Sequence, residues 1–132
     1  MQTEYLDESL FLVARLVEND QRDDAITVLR PLLECELHDF HKMIVCVNMA
    51  IIFAQKGQDT DALAWYDRAV NYERGIGDFF AAERKAAFMA ERGWNAESLA
   101  LYERLLLEPS LKDEDGERIR QNISILRERT GS

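Results

Sequence analysis

Three short polar breaks punctuate the chain at nearly constant intervals, and that spacing constrains the fold more than any other feature. The breaks are Glu18-Asn19-Asp20, Lys56-Gly57-Gln58-Asp59 and Arg92-Gly93-Trp94-Asn95. Each is followed by a segment opening on a small residue: Asp24-Ala25-Ile26, Asp61-Ala62-Leu63 and Glu97-Ser98-Leu99. Ala25 to Ala62 spans 37 residues and Ala62 to Ser98 spans 36. Self-similarity at such a period marks one supersecondary unit repeated along the chain, each unit burying its apolar face only by packing on its neighbours.

The period within each unit is helical. Ala62, Tyr66, Ala69 and Val70 fall at i, i+4, i+7 and i+8, one face of an α-helix, and Ser98, Tyr102, Leu105 and Leu106 repeat the spacing. Ala25, Leu29, Leu32 and Leu33 do so again. Before the breaks, Cys46, Met49, Ala50 and Phe53 form a stripe, as do Ala82, Ala86 and Met89, with Ser9, Leu12, Val13 and Leu16 as the set in the first unit. Small residues at Ala50, Ala62, Ala86 and Ser98 let paired helices approach closely, and Phe53, Tyr66 and Tyr102 fill the space beyond them. Pro31 lies inside the first of the second helices and is expected to kink it or end it early. With only six Gly and two Pro in 132 residues, little material exists for an all-β chain.

The alternation of small and aromatic residues resembles the tetratricopeptide (TPR) family, best over Gly57 to Ala69, well over Gly93 to Leu106 and approximately over residues 6–36. The resemblance implies an all-α fold, a right-handed superhelical stack of antiparallel helix pairs with about seven helices in a single domain. Repeats would occupy about 6–42, 43–78 and 79–111. A final helix over about 113–129, with Ile119, Ile123 and Leu126 at i, i+4 and i+7, would cap the stack or dimerise. The chain departs from the family in its longer period, in Lys85 where an apolar residue is usual, and in Val13 where a small one is.

Charge narrows the function. The net charge is −9, which opposes binding to nucleic acid or to an anionic membrane. Residues 1–40 hold ten Asp/Glu against Arg15, Arg22 and Arg30, a solvated face or an attraction for a basic partner. Cys35 and Cys46 form no CxxC pair, and no basic-then-apolar leader opens the chain, so reduced thiols and a cytoplasmic location are expected. Cys35, His38, Asp39, His41 and Cys46 contain the ligand types of a zinc site, but Asp39 also suits a helix N-cap and Cys46 lies on the core stripe. Gly75-Ile76-Gly77-Asp78 follows no strand and is explained by a helix end and an Asp78 N-cap. No nucleophile or phosphate-loop motif is present, so neither enzymatic activity nor a cofactor is expected.

By the resemblance, the first helix of each repeat lines a concave groove. That surface comprises Leu10 and Ala14, then Ile44, Val47, Asn48 and Ile51, then Phe80, Glu83, Arg84 and Ala87. Some family members clamp acidic chaperone tails there; Asn48 and Arg84 match two of five clamp positions, while Leu10, Ala14 and Phe80 stand where donors are needed. The expected ligand is therefore a peptide or helical segment of another protein with apolar anchors, Asn48 holding its backbone and Arg84 a carboxylate. Packing of the same residues against neighbouring helices, or against a second copy in a homodimer, is the competing expectation.

Overall fold

The computed structural model describes residues 3–131. Among them the chain is all-α: α1 (Thr3–Glu18), α2 (Arg22–Leu29), α3 (Asp39–Gln55), α4 (Asp59–Arg74), α5 (Phe80–Glu91), α6 (Asn95–Leu106) and α7 (Asp113–Thr130), with a 3-10 turn at Arg30–Glu34 after α2. Two compact units divide the chain, Met1–Ile76 and Gly77–Ser132.

The three breaks are built alike. Each joins two helices through three residues, and the middle one takes a positive φ: Asp20 at 60°, Gly57 at 77° and Gly93 at 80°. The residue after it donates its N–H back to a carbonyl in the last turn of the preceding helix, Gln21 to Leu16 at 2.8 Å, Gln58 to Phe53 at 2.9 Å and Trp94 to Met89 at 2.9 Å. This left-handed helix ending satisfies carbonyls that the helix leaves without partners. It folds the next helix back, so that α1 packs on α2, α3 on α4 and α5 on α6.

In the first unit, the antiparallel sense of α3 and α4 is plain from Lys42, whose ammonium lies 5.8 Å from the Tyr72 ring at the far end of α4. The pair closes on Ala50 and Ala62, both wholly buried, with Phe53 and Tyr66 beside them at 8% and 3% exposure. α3 also packs against α2 and the 3-10 turn. It is therefore buried on several sides, through Met43, Val45, Cys46, Val47, Met49 and Ile52. α1 packs mainly on α2 and buries Leu6, Ser9 and Val13. Leu12, expected in that stripe, turns out to be 46% exposed: it lies on the flank of a helix with only one face covered.

Pro31 ends α2 at Leu29, and the chain tightens into a 3-10 turn with Pro31 in its opening turn. Proline lacks the N–H that an α-helix needs there and its ring crowds the carbonyl four residues back. At three residues per turn Leu32 stays in line with Leu29 and is buried, while Leu33 swings out to partial exposure.

In the second unit, Ala86 and Ser98 are wholly buried between α5 and α6, and the Ser98 hydroxyl donates to the Ala86 carbonyl at 2.7 Å. Trp94, half-buried in the turn, meets the Phe88 ring edge-on at 5.6 Å. α7 packs on α6 and buries Ile119, Ile123 and Leu126. Burying each such side chain contributes about 1.5–3 kcal/mol. Its first turn carries Asp113, Glu114 and Asp115 and its last Arg127 and Arg129, each suited to the helix dipole. Asp78 is not the N-cap; α5 starts at Phe80, and the Asp78 carboxylate accepts the N–H of Phe79 at 2.8 Å.

Candidate functional site

In the second unit, Phe80, Arg84, Ala87 and Glu91 fall at i, i+4, i+7 and i+11 and so share one face of α5. Phe80 is 44% exposed. Arg84 beside it is exposed. Farther along, Ala87 and Ala90 form one wall of a cleft of about 240 Å³, with Asn122, Ile125 and Leu126 of α7 opposite. Ile125 is 49% exposed there. Glu91 and Arg129 stand at the polar edge and Tyr102 contributes to the floor. Burial pushes the Tyr102 hydroxyl above the usual tyrosine range, and the Glu83 carboxylate adds to the effect.

Glu83, expected to line the binding surface, is committed elsewhere. Arg118 of α7 holds it in a two-pronged contact, Nε to Oε2 at 2.6 Å and Nη2 to Oε1 at 2.7 Å, and reaches Asp115 at 2.6 Å. Hydrogen bonds to the Glu83 and Asp115 carboxylates raise the Arg118 pKa still further above its ordinary value. A bidentate fork of this type orients as well as attracts. Glu83 thus fastens α7 to α5 and leaves Arg84 as the exposed base on the face it shares with Phe80 and Glu91.

In the first unit, Ile44, Asn48 and Ile51 lie at i, i+4 and i+7 along α3 and are partly exposed, whereas Val47 is 4% exposed and belongs to the interior. Asn48 already spends one amide N–H on the Ile44 carbonyl of its own helix at 2.9 Å, which leaves its second N–H and its carbonyl oxygen for another partner. On α1, Leu10 is partly exposed and Ala14 exposed. Phe11, next to them, is 67% exposed.

Ile125, Asn122 and Arg129 were not among the expected site residues, because they lie off the buried stripe of the terminal helix. The available signal was an isoleucine off that stripe, between Ile123 and Leu126. The zinc-like residues do not converge: among the described residues no group of three or more His, Cys, Asp or Glu is placed to hold a metal ion. His38 and His41 lie with ring centroids 5.9 Å apart and their planes tilted by 42°. Cys46 is wholly buried and its thiol is pushed up to about 11 by that burial. Trp65 is half-buried, with the guanidinium of Arg68 4.8 Å and that of Arg30 6.0 Å from its ring. Among the described residues no helix is long and apolar enough to cross a membrane. Protein-family models, curated proteins and solved structures all return no match to the chain.

Proposed function

We propose that this chain is a TPR-like protein-interaction module that binds a peptide or helical segment of another protein. The observation that carries the reading is the α5 face in the second unit, where exposed Phe80 and Arg84 lead into the cleft between Ala87 and Ile125. An aromatic and an arginine beside an apolar notch are the side chains that dominate binding energy at protein interfaces. A ligand suited to it inserts an apolar side chain beside Ile125 and sets a carboxylate on Arg84. The face along Ile44, Asn48 and Ile51 offers similar chemistry, with Asn48 free to pair with a peptide backbone through its remaining N–H and carbonyl.

The finer architecture belongs to the same proposal: a right-handed superhelical stack of antiparallel helix pairs. Its support is the recurrence of one turn geometry at Asp20, Gly57 and Gly93. No metal, cofactor or catalytic group is part of the reading, and its two thiols suit a reducing, cytoplasmic setting.

Selection of a random peptide library on the purified chain, followed by fluorescence anisotropy on the selected sequences, tests the binding role. Selected peptides should share an apolar anchor and a nearby acidic residue. Phe80→Ala with Arg84→Ala should weaken them about 100-fold while far-UV circular dichroism stays unchanged. Equal binding by the double variant, or no enriched sequence, would show that the α5 face is not a ligand site.

A further inference from the structure

On the second unit, an open groove of about 840 Å³ runs between α6 and α7, floored by Leu106 and Ile123. Leu107 stands at its edge and is 81% exposed, more than any other large apolar side chain described. The rim is formed by Glu103 and Glu128 together with Arg120 and Arg127. These α7 residues lie about half a helical turn away from Asn122, Ile125 and Arg129, so this groove and the proposed ligand cleft occupy opposite flanks of α7.

Charge decides what fits here. A chain of net charge −9 repels its own copies over most of its surface. A second exposed apolar cluster outside the proposed ligand cleft, Tyr5, Phe11 and Leu12 on α1, sits among Glu4, Asp7 and Glu8 with Arg15 as the base of that helix, and would repel a second copy. The α6–α7 groove is different, because two acids and two bases cancel around its rim. A neutral rim of mixed sign can complement itself under a two-fold axis. A two-fold interface also requires projection and recess on the same patch. Leu107 is the projection, and the hollow over Leu106 and Ile123 is the recess.

We infer that the chain forms a homodimer through this groove, Leu107 of each copy seated in the groove of the other. The two helix pairs then make a four-helix packing of α6 and α7 from both copies. The interface leaves the α5 face open, so the dimer stands or falls independently of the peptide-binding role.

Sedimentation equilibrium of the full chain, up to about 0.3 mM in 0.15 M salt, tests the inference. The wild type should sediment at twice 15.3 kDa. Leu107→Glu should raise the dissociation constant about 100-fold or more with unchanged helicity, since the side chain is 81% exposed and supports no core. Arg120→Glu, which makes the rim acidic, should raise it about tenfold. Phe11→Glu, a matching charge change on α1, should leave the dimer intact. A monomeric wild type would assign the groove to some other partner and overturn the inference. So would a dimer indifferent to Leu107→Glu and Arg120→Glu, or one lost equally with Phe11→Glu.

Discussion

The three inter-helix turns share a geometry but not a residue, and that difference has a measurable consequence. Gly57 and Gly93 sit at φ 77° and 80°, and a Cβ built on either meets nothing within 4 Å. Replacing either with alanine therefore adds no clash, only backbone strain. The left-handed region costs an L-residue about 1–2 kcal/mol. Alanine returns about 0.4–1 kcal/mol by making the unfolded chain less flexible. Gly57→Ala and Gly93→Ala should each lose about 1 kcal/mol. Asp20 holds the same conformation at φ 60° with less strain than an alanine would, because a short polar side chain tolerates the left-handed region. Asp20→Gly should therefore move the other way, by at most about 0.5 kcal/mol, once the greater freedom of the unfolded glycine chain is subtracted. The ion pair it forfeits, Asp20 to Arg22 at 3.3 Å, is exposed on the Asp20 side and is worth a few tenths of a kcal/mol at most. Urea unfolding followed by far-UV circular dichroism resolves these changes as midpoint shifts of about 0.2–1 M, fitted per transition if the two units unfold separately. Destabilisation by Asp20→Gly, or neutrality of both glycine replacements, would refute the claim that one strained turn is used three times.

Further outcomes follow from Ser98 and the two cysteines. Ser98→Ala removes the hydroxyl that donates to the Ala86 carbonyl at 2.7 Å and should cost about 1 kcal/mol by thermal or urea unfolding. The Cys46 thiol is raised from 9.0 to about 11. The unfolded chain thus ionises first, and stability that is complete below pH 9 should fall by about 2–3 kcal/mol as the pH climbs to 11. Cys46→Ala should flatten that part of the pH profile. A thiol reagent at pH 8 should modify Cys35 readily and Cys46 only after unfolding.

Much of the fold was legible because its determinants are local. The 3.6-residue period of Ala62, Tyr66 and Ala69, the loss of a helical hydrogen bond at Pro31, and the polar breaks around Asp20, Gly57 and Gly93 all act over one or two turns of chain. The helices, their pairing and the small residues between them follow from those short-range rules. Leu12 and Leu33 show where local periodicity stops deciding burial. Each keeps approximate helical register with a buried stripe, and each ends on a flank, because periodicity names a face but not how wide a neighbour covers it.

The site was decided later, by tertiary packing. Val47 and Asn48 are adjacent on α3, yet the first is interior and the second partly open, since only the packing around α3 sets which side is left uncovered. Glu83 and Arg84 are likewise neighbours. Arg118, 35 residues along the chain, captures Glu83 and leaves Arg84 exposed. Ile125 becomes half of a cleft only when α7 brings it opposite Ala87. Amino-acid order thus determined which segments become helices and where they turn. Which polar side chains are spent inside the fold, and which remain for a partner, depended on contacts between segments far apart in the chain, whose energies no local pattern contains.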